Sequence, residues 1–301
     1  MTAPEPRPSS PVPSNWGRWG SDDERGTLNH ITGEVRARAV GQAQLGQVVS
    51  LARPAIPTPL TSGPVAPLPA LAPAAISQAM TFTGSPSGAL TDLLIINTHH
   101  PALTHLDALG HIPQQGQVYP GHDLSTVATS HGLKHSSTTA FAGGILTRGV
   151  LLDLAPEGGL PPGHPITAAD LDHAAERAEI AVAPGDGLVV RGGWSAAENL
   201  GHRPTPGMTL DAIRWLDHHR ISLYLGDVGD AHPPVEPDPA WPLPLHQVGL
   251  ARLGLPLVDN AAVDDLAHTC RTLNRTSFLL VLAPPAIHGA TGVPVTPLAV
   301  F

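Results

Sequence analysis

Residues 99–111 hold four imidazoles and one carboxylate in thirteen positions: His99, His100, His105, Asp107 and His111. The centre of the run is Thr104-His105-Leu106-Asp107-Ala108-Leu109-Gly110-His111. Neutral imidazole nitrogen and carboxylate oxygen together suit zinc or manganese in a hydrolytic site, and no cysteine lies nearby to suggest a thiolate-rich structural zinc. His111 follows Gly110, where the chain can bend, so it can stand beside an ion without binding it. The run reads as a metal site with a proton-transfer group next to it.

Such ligands need a rigid mount. Leu93-Leu94-Ile95-Ile96-Asn97-Thr98 is apolar and rich in β-branched residues, so a buried strand is predicted to lead straight into the cluster. In extended chain, residues two apart share a face at roughly 6.5 to 7 Å. His105 and Asp107 can therefore converge on one ion while Leu106 and Ala108 turn the other way. Further on, His246 opens an apolar helical pattern, and Asp259-Asn260 follows the short strand-like run Leu255-Pro256-Leu257-Val258. His246 and Asp259 could supply distant ligands.

The rest of the chain alternates between two periodicities. Strand-like runs at 149–154, 187–191, 221–225 and 277–282 alternate with helical patterns opened by Thr167 and Thr209 and a third at 263–273. Thr32 caps an earlier helix extending to residue 45. The alternation indicates an α/β fold with a mixed central sheet. With 301 residues, 42% of them hydrophobic, the chain can bury one large core, so residues 16–301 are expected to form a single domain. Residues 1–15, rich in Pro and Ser, are expected to be a disordered arm, and the Pro/Ala-rich stretch 54–73 an irregular excursion able to form a flap. A single cysteine rules out an internal disulfide, and Cys270, within a helical pattern, is expected to be buried and inert.

Sixteen basic residues against 25 acidic ones give a net charge of −9 with no basic cluster, which disfavours nucleic acid and anionic membranes as partners. No stretch approaches the ~18 apolar residues of a membrane span, and the N-terminus lacks the pattern of a secretory signal. A cytoplasmic protein acting on a small molecule is expected. Phosphate-cradling signatures are missing as well: Gly185-Asp186-Gly187 lacks a third glycine and leads into a strand rather than a helix. Trp16, Trp19, Phe82 and Phe141 are candidates for an aromatic wall. The Pro-rich stretch 231–237, near Asp227 and Asp230, is expected to close the site from above or from a neighbouring subunit.

Four ordered segments resemble the metal-dependent cyclase and kynurenine formamidase superfamily, whose motif is His-x-Gly-Thr-His-x-Asp-x-Pro-x-His. Residues 104–111 resemble its central part. Trp19-Gly20-Ser21-Asp22-Asp23-Glu24-Arg25-Gly26-Thr27-Leu28-Asn29 resembles the amino-terminal signature of the longer members. Residues 184–194 and Gly289-Ala290-Thr291-Gly292-Val293-Pro294-Val295 are further matches. The resemblance implies a swivelling β/β/α fold assembled as a homodimer or homotetramer. It also implies that His105 and Asp107 bind metal, that His111 is the acid/base, and that His246 with Asp259 completes the site or bridges to a second ion. This chain has Pro101 where the family places its first His, so His99 or His100 must reach in from a longer loop. Leu103 and Leu109 replace the motif's Gly and Pro, and Asp259 is one methylene shorter than the usual Glu.

The expected reaction is hydrolysis of a small amide, formamide, cyclic amide or lactone. A divalent ion, or a pair, would polarise the carbonyl and lower the pKa of its water toward ~7, while His111 moves the proton. A cyclase or dehydratase acting on an enolisable, polyketide-like substrate is the second reading. A non-catalytic metal- or ligand-binding scaffold is the third.

Overall fold

The apolar runs at 149–153, 187–191, 223–226 and 257–259 lie side by side as parallel strands, the arrangement that buries a strand on both faces. A computed structural model describes residues 12–59, 74–84, 88–195 and 204–301. In chain order the longer strands are β1 (Val48–Ser50), β2 (Ile76–Thr83), β3 (Ala89–Ile96), β4 (His105–Asp107), β5 (Ile145–Asp153), β6 (Gly187–Arg191), β7 (Leu223–Gly226), β8 (Leu257–Asp259), β9 (Ser277–Leu282), β10 (Gly292–Pro294) and β11 (Leu298–Val300). Among the described residues nine of these form one sheet in the order β1-β11-β9-β5-β6-β7-β8-β4-β10. The pairs β5/β6, β6/β7 and β7/β8 are parallel. The flanking pairs are antiparallel, so the sheet is mixed, as the alternating sequence pattern predicts.

Helices α1 (Gly33–Val40), α2 (Ala168–Arg177), α3 (Leu210–His218), α4 (Leu245–Leu253) and α5 (Asp264–Leu273) cover this sheet. Thr32, Thr167 and Thr209 each accept a backbone N–H in the first turn of α1, α2 and α3, satisfying donors that have no partner within the helix. Val150, Leu152, Leu188, Val190, Leu223 and Leu225 are buried between the layers. Each such side chain contributes about 1.5–3 kcal/mol relative to an exposed one. Cys270 is buried within α5, and burial pushes its thiol up to about 12, in keeping with an inert residue.

Three expectations change. The strand over residues 93–96 is present as the end of β3, but every residue of β3 is exposed, because β3 pairs with β2 in a separate ribbon with no layer on either face among the described residues. Helix α1 stops at Val40, short of residue 45, at the helix-weakening Gly41. Asn15 does not belong to a loose arm: its side chain is buried and donates to the Leu253 carbonyl at 2.9 Å. Residues 1–11 and 60–73 lie outside the described residues.

Candidate metal centre

Strand β4 is three residues long and buried throughout, sandwiched between β8 and β10. Its register sets Asp259 opposite His105 and Gly292 opposite Asp107. His105 and Asp107 share a face, as the two-residue spacing requires, with His105 Nε2 3.4 Å from Asp107 Oδ1. The His105 Nδ1–H donates to the Leu103 carbonyl at 3.0 Å, which fixes the tautomer and leaves Nε2 as the free lone pair facing the carboxylate.

Three other imidazoles close around Asp107. His99 Nδ1 lies 3.0 Å from Oδ1, and its Nε2 meets the Thr291 hydroxyl at 3.1 Å. His246 Nε2 lies 3.4 Å from Asp107 Oδ2 and 3.4 Å from Asp259 Oδ2. The ring of His111 stacks on that of His99 at 3.6 Å between centroids, with 3° between planes. His100 is not brought in. Its Nδ1 accepts the Ala102 N–H at 3.1 Å within the turn, so of the two neighbouring residues only His99 reaches the carboxylate.

His246 is aimed from behind. Asp230 accepts from the backbone N–H of Leu245 and of His246, at 2.8 and 3.1 Å, and from His246 Nδ1 at 2.7 Å. One carboxylate thus serves as the missing cap of α4 and as the orienting partner of the imidazole, the arrangement by which outer carboxylates orient metal-binding histidines. Helix α4 is wound as a π-helix, a rare form that is frequent at functional sites. His111 is held through a longer chain. Glu24, from the amino-terminal signature, accepts the Ser136 N–H at 2.6 Å, and the Ser136 carbonyl accepts the Gly110 N–H at 2.9 Å.

The charges ask for a cation. Asp107 is wholly buried, and neither of its oxygens has an aligned hydrogen-bond donor despite the nitrogens 3.0–3.4 Å away. A buried carboxylate left so is costly unless positive charge sits against it. Burial alone would raise the Asp107 carboxyl, but His246, His99, His105 and His111 outweigh it and hold the group below the ordinary carboxylate range. Burial would likewise favour neutral His246, yet the carboxylates of Asp107, Asp230 and Asp259 gathered around it hold it well above the usual imidazole value. His111 differs: burial, more than the opposing charge of Asp107, pushes it down to about 4, so it is neutral at pH 7. Ligand atoms of His99, Asp107 and His111 lie within 4.8 Å of one another, and so do those of His105, Asp107 and Asp259. The two sets share Asp107, so the donor chemistry fits one divalent cation or a pair.

A cleft of about 290 Å³ opens beside the cluster. His246, Asp259 and Asn260 form one end, and Ile112, Trp194, Val228 and Leu243 give it apolar walls. Trp194, Asp227 and Asp259 all fall at or just beyond the carboxyl ends of β6, β7 and β8, where α/β sheets place their ligand crevices. Asp227 accepts the N–H of Gly192 at 2.6 Å and of Trp194 at 3.0 Å, fixing the loop that carries the indole. The aromatic wall is therefore Trp194. Trp16 donates to the Ala251 carbonyl, Trp19 packs edge-on to His30, and Phe141 is buried in the core. The side chain of Phe82 lies outside the described residues.

The sheet order and the carboxylate–imidazole cluster define an α/β protein of the cyclase-like fold. Residues 45–231 match the Cyclase family, described as "Putative cyclase", and the chain belongs to that family. A solved structure described as a novel cyclase is similar at 28% identity and TM-score 0.79, over 96% of this chain and 97% of its own. Isatin hydrolase A from Labrenzia aggregata, bound to benzyl benzoate, shares the fold at 18% identity and TM-score 0.57, over 84% of this chain and 93% of its own. An isatin hydrolase bound to the product analogue thioisatinate does so at 20% identity and TM-score 0.55, over 89% and 98%. No curated protein matches the sequence.

Proposed function

We propose that this chain is a metal-dependent hydrolase of a small amide, formamide, cyclic amide or lactone. The observation that carries the reading is the convergence of His99, His105, His246 and Asp259 on the buried, donor-poor carboxylate of Asp107, with His111 neutral beside them. His99, His105, Asp107, His246 and Asp259 would hold one or two divalent ions, zinc or manganese. When bound, such an ion supplies Lewis acidity toward a carbonyl oxygen and acidifies water.

The protein's own groups do the rest. Neutral His111 accepts a proton from the attacking water and returns it to the leaving nitrogen or oxygen, a role typically worth ~10²- to 10⁴-fold. Asp230 keeps His246 in one orientation. The apolar cleft walls, Trp194 and Ile112 among them, take a compact, largely uncharged substrate and shed its water. Isatin hydrolases share this fold, which makes ring amides the first substrates to try.

The test is elemental analysis of the wild type beside His105→Ala and Asp107→Ala, with folding checked by circular dichroism, followed by assay of formamides, ring amides and lactones. One or two equivalents of zinc or manganese in the wild type, lost in both folded variants together with hydrolysis, is expected. A folded wild type that takes up no metal on reconstitution overturns the reading. The 28% identity to a structure described as a cyclase favours one alternative, ring closure of an enolisable substrate. Mass spectrometry in H₂¹⁸O separates the two, since only hydrolysis places ¹⁸O in the product.

A further inference from the structure

Between α2 and α5 lies a cavity that takes no part in the metal cleft. It measures about 290 Å³ and, among the described residues, shares no lining residue with that cleft. Leu151 on β5, Ala174 and Ala178 at the carboxyl end of α2, and Ala267 and Cys270 on α5 line its apolar part. Positions 174 and 178, like 267 and 270, are one helical turn apart and share a face. Each helix therefore turns small side chains toward the other. Interiors are normally close-packed, so a gap of this size is the exception.

Guanidinium groups stand over the gap. Arg177 on α2 donates to the Asp153 carbonyl at 2.8 Å, and Arg271 on α5 lies 3.5 Å from the Asp153 carboxylate. Both reach across to the end of β5 instead of bonding the last carbonyls of their own helices, as an arginine that served only a helix dipole would. Two more come from the ends of strands, where no dipole asks for them. Arg191 pairs with Asp153 and Asp264 at 3.0 and 2.7 Å, while the guanidinium of Arg275, which lines the cavity, donates to neutral Gln42. Four of the chain's 16 basic residues thus meet two carboxylates here, a local positive site in a protein of net charge −9.

We infer that this cavity binds a small organic carboxylate, with the apolar body inside and the carboxylate between Arg177 and Arg271. Each planar guanidinium carries five N–H donors in a fork that matches a carboxylate, and the contact with Asp153 engages one nitrogen of each. Asp153 is the one acidic residue of the lining, and Arg191 already meets its charge. The volume suits a ring or a short branched chain, since roughly 150 Å³ of apolar cavity suffices for benzene. An inorganic anion would leave the apolar floor uncovered. A neutral hydrocarbon would leave the arginines without a counter-charge. A carboxylate on a compact apolar body satisfies both.

Calorimetric titration of the full chain with benzoate tests this. The wild type is expected to bind benzoate, and Arg177→Gln/Arg271→Gln, which leaves the metal cluster intact, to bind it ~10-fold or more weakly. Benzyl alcohol, close in shape but uncharged, should lose as much against the wild type. Ala178→Leu keeps every arginine and fills the cavity, so it should reject benzoate too, and it serves if the double variant does not fold. No benzoate bound up to about 10 mM overturns the inference. A folded variant of either kind that binds benzoate as tightly as the wild type overturns it equally, and is what binding at the metal cluster would give. Inorganic phosphate that binds the wild type as tightly as benzoate, and is lost in the double variant, would replace the organic carboxylate with a phosphate that needs no apolar body.

Discussion

The imidazole of His99 fills the space a side chain on Gly292 would need. A Cβ at Gly292 would lie 2.6 Å from His99 Cε1 and 3.0 Å from Nε2. Gly292 stands opposite Asp107 in the β4/β10 pairing, so the glycine is what lets the ring lie against that carboxylate. In Gly292→Ala the ring, being the movable partner, should swing off Asp107 while the sheet persists. Metal content measured by mass spectrometry should fall by up to one equivalent, with the circular dichroism spectrum unchanged. Full metal occupancy in Gly292→Ala would remove His99 from the ligand set.

Asp230 and His246 make a second dependent pair. Asp230→Ala leaves two N–H groups at the start of α4 without their acceptor and frees the imidazole to rotate. Loss of a cap costs about 1 kcal/mol, and loss of an outer carboxylate typically weakens metal binding ~10- to 100-fold. Competition with a chromogenic chelator should show that weakening. A variant destabilised by the cap loss alone, with unchanged affinity, would limit Asp230 to a structural role.

His111→Ala separates proton transfer from ligation. If His111 moves the proton, turnover should drop by about 10²- to 10⁴-fold while metal content and KM stay near wild type. Loss of metal would instead make His111 a ligand, a role open to it because one of its ring nitrogens lies within 4.8 Å of a nitrogen of His99 and an oxygen of Asp107.

How much of this was legible in the sequence depended on the distance over which residues cooperate. Thr167 and Thr209 announce helices whose caps bond three residues ahead, and His105-x-Asp107 announces a shared strand face; both are local rules. His246 and Asp259 stood out only as types, and their meeting with Asp107 depends on β4 inserting between β8 and β10. Asp230 was visible as an acidic residue near the site, but nothing in a sixteen-residue separation says that it orients His246. Trp194 was passed over as the wall because its place depends on Asp227 holding the turn after β6. Burial of 93–96 was misjudged for the opposite reason. Apolar β-branched content signals a strand that requires cover, and the composition is the same whether the cover is the chain's own core or another surface.

Asp227 gives the fold a pH dependence of its own. Burial raises its carboxyl to about 6 from an ordinary 3.8, against the lowering effect of the Gly192 and Trp194 N–H groups. Between those values the folded state holds a proton that the unfolded chain has released. The group's stabilising contribution is therefore complete below about 3.8, declines as pH rises, and is lost above about 6. The shift corresponds to roughly 3 kcal/mol between the two ends of the window. Asp227→Asn removes the ionisation and, by giving up one acceptor, adds a penalty that does not vary with pH. Chemical denaturation of metal-free protein from pH 4 to 8 should thus show the wild type's advantage over Asp227→Asn shrinking as pH rises, by an amount of that order. A difference that stays flat across the window would mean that Asp227 titrates alike in the folded and unfolded chains. Its carboxylate would then hold the Trp194 loop at no electrostatic cost.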